Sequence, residues 1–198
     1  MDRSAAIKAY IDLKVSVLQK TDANAVNALM DLLDETRKRG ATVYVMGNGG
    51  SAATASHFAN DFNKGVSERL DPPFRFVCLN DNVATLTAIA NDIGYDAVFE
   101  FQLRGRVRRE DALLCISGSG NSPNVIKAAK FAKSAGATVA ALTGFDGGEL
   151  GRIADVSLHV PVTSMQIAED AHMMFDHLMA AVFCKTLLGT EHVKGDAE

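Results

Sequence analysis

No apolar run in the chain approaches the roughly 18 residues needed to span a bilayer, so no membrane-spanning helix is expected. The N-terminus carries no pattern of a secretory leader, and the expected setting is the cytoplasm. Cysteine is scarce. Cys78, Cys115 and Cys184 are odd in number, unevenly spaced and embedded in apolar runs. That argues against a disulfide framework or a zinc knuckle and for buried thiols in a reducing compartment. Positive charge is not in excess: 20 Lys and Arg face 24 Asp and Glu, for a net charge of -4. The electrostatic footprint of non-specific nucleic-acid binding is therefore missing, and no nucleic-acid partner is expected. The local cluster of Arg104, Arg106, Arg108 and Arg109 reads as a solvated helix end or loop. The chain also lacks an internal linker, a low-complexity tract and a tandem repeat.

What remains is 198 residues with 47% hydrophobic content, enough for one domain over 1–198 with a sizeable core. Residues 3–19 read as a helix with two apolar stripes, one of Ile7, Ile11 and Leu18 and one of Ala6, Tyr10, Leu13 and Val17. A helix apolar on two sides must be covered on two sides, and another subunit is the simplest second cover. A second helix runs to about Arg39, with Thr21 or Asp22 as its N-cap and Gly40 at its end. Residues 1–40 are thus read as helices used for oligomer packing, 41–188 as the core and 189–198 as a frayed tail.

Beyond residue 40, strands alternate with helices. Strands are expected at 42–46, 74–79, 112–116, 137–142 and 155–160. Helices are expected at 51–63, 82–90, 96–105 and 122–135, with a helical turn at 147–152 and a last helix at 164–188. This alternation predicts an α/β fold: three αβα layers around a five-stranded parallel sheet. In such sheets ligands bind beyond the carboxyl ends of the strands.

Two of those strand ends run into Gly/Ser-rich loops. The first is Gly47-Asn48-Gly49-Gly50-Ser51, which leads into a helix. The second is Ser117-Gly118-Ser119-Gly120-Asn121-Ser122-Pro123, with Ser122 placed as an N-cap and Pro123 at the first helical position. Free N–H groups, hydroxyls and a helix dipole suit a phosphate monoester. Neither loop is a P-loop, because no Gly-Lys-Ser/Thr follows. Gly47-x-Gly49-x-x-Ala52 meets the loose dinucleotide fingerprint, but the matching acid, Asp81, comes too late in the chain. No nucleotide cofactor is expected.

His57 and Asp61 stand at i and i+4 beside the first loop, on the side opposite Ala55, Ala59 and Phe62. They suit a general acid/base pair, two ligands of a divalent metal, or a solvated ion pair. The last helix adds Glu169, Asp170, His172, Asp176 and His177 among apolar residues. Glu169 and His177 are eight residues apart, about 12 Å along the axis, so one straight helix hardly brings both to a single ion. If both serve one site, they come from different subunits. His159 and His192 read as structural or solvated.

Four ordered motifs carry a family likeness: Gly47-Asn48-Gly49-Gly50-Ser51, Ala88-Ile89-Ala90-Asn91-Asp92, Ile116-Ser117-x-Ser119-Gly120-Asn121-Ser122 and Leu142-Thr143-Gly144-x-Asp146-Gly147-Gly148. Together they resemble the SIS (sugar isomerase) domain family, and within it the phosphoheptose isomerases of lipopolysaccharide-heptose synthesis. The resemblance covers about residues 20–188. It implies a flavodoxin-like fold with extra N-terminal helices, a homotetramer with sites between subunits, and isomerisation of sedoheptulose 7-phosphate through an enediol. It implies substrate contacts from Asn48, Gly49, Gly50, Ser51, Asn91, Asp92, Ser117, Ser119, Ser122 and Glu169. Asp61 and His177 become the catalytic pair. His57, Asp61, Glu169 and His177 become the ligands of one divalent metal, zinc in metal-containing members. Three positions depart from the family pattern: Asp61 replaces Glu, Glu169 replaces Gln, and Gly118 replaces the middle residue of a Ser-Thr-Ser trio. The alternative is a non-catalytic SIS protein, a phosphosugar-binding regulator or a scaffold associating with a replication initiator.

Overall fold

The structure is a computed structural model that describes residues 1–189. The elements follow the expected alternation. Helices α1 (Ser4–Leu18) and α2 (Ala23–Lys38) precede strand β1 (Val43–Gly47) and helix α3 (Gly50–Asn60). Strand β2 (Phe76–Cys78), α4 (Val83–Asp92), α5 (Glu100–Leu103), β3 (Ala112–Ser117) and α6 (Pro123–Ser134) come next. Strand β4 (Thr138–Thr143), α7 (Gly148–Ile153), β5 (Val156–His159) and α8 (Met165–Leu188) complete the chain.

All neighbouring strands pair in parallel, in the order β2-β1-β3-β4-β5. The order reverses between β1 and β3, so the loops after those two strands flank the switch point where open sheets bind ligands. Strand alternation sends side chains to two cores. Val43, Val45, Leu114 and Ile116 join one cluster with residues of α2, α3 and α8. Tyr44, Met46, Leu113 and Cys115 join the other with residues of α4 to α7. The three cysteines are buried and free. Among the described residues no helix is long and apolar enough to cross a membrane. His192 and the tail from residue 190 lie outside the described residues.

Local signals mostly act as read. Asp22 caps α2 by accepting from the Asn24 N–H, and Gly40, at φ +65°, takes the left-handed turn that ends it. Ser122 sits at the N-cap of α6 with Pro123 at N1, but its side chain makes no capping bond. It faces Ser117 instead, with the hydroxyls 3.3 Å apart. The helix expected at 96–105 is broken into a 3-10 turn at Tyr95–Ala97 and the short α5. Asn91 and Asp92 form the end of α4, which runs two residues beyond the helix expected at 82–90. Of the arginine cluster, Arg104 pairs with Glu100, while Arg106 and Arg108 line a polar cavity at the amino end of the sheet.

The helix expected over 51–63 changes pitch at its functional end. After Asn60 the chain adopts a π-helix, Asp61–Val66. The wider turn buries Phe62 and Val66 fully. Phe62 meets Phe58, Phe74, Phe76 and Phe183 with ring centroids 4.7 to 5.9 Å apart. π-bulges of this sort recur at functional sites. Helix α1 has no buried residue, and Ile7 and Ile11 are more than half exposed. Phe62→Ala is expected to cost about 3–5 kcal/mol in urea unfolding, as for other buried aromatic truncations.

Candidate functional site

The two Gly/Ser loops meet in one cavity of about 230 Å³ beyond the ends of β1 and β3. Asn48, Gly49, Gly50 and Ser51 line it from the first loop, and Ser117, Ser119 and Ser122 from the second. The N-terminus of α3 opens onto it, because Gly49 is the N-cap and no side chain caps that end. The Ala52 N–H already bonds the Gly49 carbonyl, so the Gly50 and Ser51 N–H groups are the ones available to an anion.

Side chains behind the cavity hold the loops. Asn80 accepts from the Gly47 N–H at 3.2 Å and donates to its carbonyl at 2.9 Å. Asn48 and Asn124 exchange two amide hydrogen bonds of 2.9 Å, joining the first loop to the start of α6. Tyr95 donates to Asn48 Oδ1 at 2.9 Å. Gly120 has φ +65°, and a Cβ there would strike the Gly147 carbonyl, so the second loop is wedged against the loop after β4. At Gly118 the space a side chain would fill is taken by the Met165 sulfur. That is a steric account of the departure from the family's serine-threonine-serine trio. Asn91 and Asp92 are exposed, bonded to each other, and do not line the cavity.

Glu169 also lines the cavity. Its carboxylate lies against Gly50, where a Cβ would come within 2.5 Å of Oε1. Helices α3 and α8 thus run side by side and in the same direction: Gly50 faces Glu169, His57 faces His177, and Phe62 faces Phe183. Seven residues of helix separate the first two rungs, about 10 Å.

The middle rung gathers four ionisable groups. His57 Nε2 lies 3.0 Å from His177 Nε2, 3.5 Å from Asp61 Oδ2 and 3.9 Å from Asp176 Oδ2. One ligand atom from each of these residues falls within 4.8 Å of all the others. In a tetrahedral zinc site, ligands about 2.0–2.1 Å from the ion sit roughly 3.3 Å apart. Two imidazoles and two carboxylates at this spacing fit a divalent metal such as zinc. Glu169 is outside this group, as its distance along the helix requires; the fourth member is Asp176. Asp176 is fully buried, and neither carboxylate oxygen has a hydrogen-bond partner. Burial, with the nearby Asp61 charge, pushes its carboxyl up to about 8. His172, one turn earlier on the buried face, has both ring nitrogens without a partner, and burial pushes it down to about 4. It is a core histidine. His159 bonds the Phe145 carbonyl and is structural.

The structure brings the sequence-predicted His57, Asp61 and His177 together with Asp176, which the sequence reading names on the last helix without a role, and it uses Asn124, which that reading does not name. The signal for Asp176 was available: it falls on the apolar stripe of α8 that includes His172, Met179 and Phe183.

A parallel αβα domain with an anion cradle at its switch point and a His/Asp cluster one rung away defines a sugar-phosphate-binding class of protein. Comparison with known proteins narrows this. The SIS domain family matches residues 8–144, and the chain belongs to that family. It is 41% identical to the phosphoheptose isomerase of Mycobacterium tuberculosis over 157 residues, covering 79% of each chain. It is 36% identical to that of Aliarcobacter butzleri over 188 residues, covering 91% of this chain and 96% of the other. Among solved structures, the phosphoheptose isomerase of Neisseria gonorrhoeae superposes with a TM-score of 0.85 at 31% identity, over 93% of this chain and 100% of that one. The Francisella tularensis enzyme gives 0.86 at 26%, over 92% and 98%.

Gly120→Ala is expected to lower stability by more than about 1 kcal/mol, since the new side chain meets backbone at a left-handed position. Thermal unfolding measures the loss, and phosphate binding should weaken with it.

Proposed function

We propose that the chain isomerises sedoheptulose 7-phosphate to D-glycero-D-manno-heptose 7-phosphate through an enediol. The observation that carries this reading is the rung spacing of α3 and α8. The anion cradle and the His/Asp cluster are about 10 Å apart along the helix axis. An open-chain heptose phosphate, with six C–C bonds of about 1.5 Å in zigzag plus the ester, spans about 10 Å from phosphorus to C1. A phosphate on the loops therefore brings C1 and C2 to the cluster. The relatives named phosphoheptose isomerase support the same choice.

In this reading Ser51, Ser117, Ser119 and Ser122 donate to the phosphate with the N–H groups opening α3. Asp61 removes a proton from C1 of the ketose, and the electron pair forms the C1–C2 double bond of the enediol. His177 moves the proton between O1 and O2, and the proton returned to C2 gives the aldose. A carboxylate and an imidazole suit such transfers near neutral pH. A divalent ion such as zinc, which His57, Asp61, Asp176 and His177 would hold, would instead supply Lewis-acid polarisation of the substrate carbonyl. The exposed apolar stripe of α1 supports a homotetramer, in which Asn91 and Asp92 would complete a neighbour's site. The cytoplasm and the supply of lipopolysaccharide heptose follow from the same reading. The non-catalytic alternative has no observation in its favour, because the acid and both histidines stand together.

Isomerisation of sedoheptulose 7-phosphate in deuterium oxide should place deuterium at C2 of at least part of the aldose, read by proton NMR, which an enediol allows and a direct hydride shift does not. Asp61→Asn and His177→Ala should each lower turnover by about 100-fold or more, the range of general acid–base catalysis, while sugar-phosphate binding survives in calorimetry. Full activity in either variant would sink the assignment. Ile7→Lys with Ile11→Lys should reduce the oligomer in light scattering.

A further inference from the structure

We propose that Asp176 is a direct metal ligand and that it takes, in this chain, the coordination place that family resemblance gives to Glu169. The proposal rests on the divalent-metal part of the preceding reading.

Three observations carry it. Glu169 faces Gly50 at the mouth of the anion cradle, eight residues and about 12 Å along α8 from His177. Within one chain it does not reach the ion that His57, Asp61 and His177 would share. Asp176, next to His177, does: its Oδ2 is 3.9 Å from His57 Nε2, and it belongs to the four-residue group within 4.8 Å. The third observation is the state of that carboxylate. It is fully buried, and neither oxygen accepts a hydrogen bond. A buried carboxylate with no donor is costly unless it is paired or coordinates a metal. No lysine or arginine forms an ion pair with it among the described residues. The partners aimed at it are the edges of the cluster itself. A divalent cation there would meet two neutral imidazoles and two carboxylates, so its charge is balanced inside the protein. In the family pattern, with one acid and a neutral Gln, it is not.

The departure at Glu169 and the presence of Asp176 then belong together. A second acid has entered the coordination group from the buried side, and the residue at 169 is released to face the sugar. Glu169, a charged acceptor beside the cradle, becomes a residue that sets which sugar is held rather than which metal.

The test compares purified full-length wild type, Asp176→Asn and Glu169→Gln. Zinc affinity is measured by competition with a chromogenic chelator, and the ligand set by the visible spectrum of the cobalt(II)-loaded protein. Asp176→Asn should bind zinc at least 100-fold more weakly and alter the cobalt band. Glu169→Gln should keep zinc affinity within about twofold and leave the band unchanged, while its KM for sugar phosphates shifts. Without metal, Asp176→Asn should melt no lower than wild type, because the carboxyl makes no hydrogen bond that the substitution would break, and zinc should raise only the wild-type Tm. Wild-type affinity and spectrum in Asp176→Asn would overturn the proposal. So would a lower metal-free melting point, which marks a structural hydrogen bond, or weakened zinc binding in Glu169→Gln, which would mark Glu169 reaching the ion from a neighbouring subunit. If wild type binds no zinc, cobalt or manganese, the ligand assignment falls with the metal reading. Turnover of sedoheptulose 7-phosphate, assayed separately, reports on the isomerase reading alone.

Discussion

Helices α3 and α8 lie in parallel contact, and nearly every functional group depends on that contact. At one end it needs Gly50, since a side chain there would collide with Glu169. At the other it is fastened by Phe62 against Phe183, edge to face at 5.9 Å. Between these fastenings the imidazoles of His57 and His177 are held 3.0 Å apart. Neither helix has reason to bring its histidine there alone. The aromatic cluster pins one end of the seam and the glycine loop the other, so the ionisable groups are positioned by apolar packing on both sides. This is how a rigid scaffold places groups more finely than a loop can.

The cluster is also where stability is surrendered. Asp176 and His172 are buried on one face of α8, one turn apart, with no hydrogen-bond partners. An apolar residue at either position would pack more favourably in an apolar core. Retention of a buried acid beside the seam is intelligible as a local cost borne for chemistry, and the π-helical turn after Asn60 is a second departure in the same place. Irregularity is concentrated at the middle rung; the sheet and its registers are regular throughout.

Much of this was legible in the residues. Strand alternation, the five strands and the two loops at their carboxyl ends follow from apolar runs punctuated by Gly and Ser, signals that act locally. His57 and Asp61 are legible because one helical turn separates them. The distance along α8 already set Glu169 apart from His177. The π-helix was not legible, because Asp61–Val66 forms it in answer to Phe74, Phe76 and Phe183, which lie far away in the chain. The helix read across 96–105 failed for a similar reason: Tyr95 is drawn toward Asn48, far back in the chain. Asp176 was given no role because charged residues on helices usually face solvent, although its place on the apolar stripe with His172, Met179 and Phe183 marks it as inside.

The paired amides of Asn48 and Asn124 tie the turn after β1 to the helix that follows β3. Two segments that would otherwise fluctuate separately are joined as the two jaws of one clasp, with Tyr95 as a strut. A dianion arriving between them has little disorder to remove, so more of its contact energy appears as affinity. The same tie makes the clasp indifferent to what hangs from the phosphate. Discrimination among sugars is then left to Glu169 at the mouth of the clasp and to the far rung, where chain length is measured against the pitch of a helix.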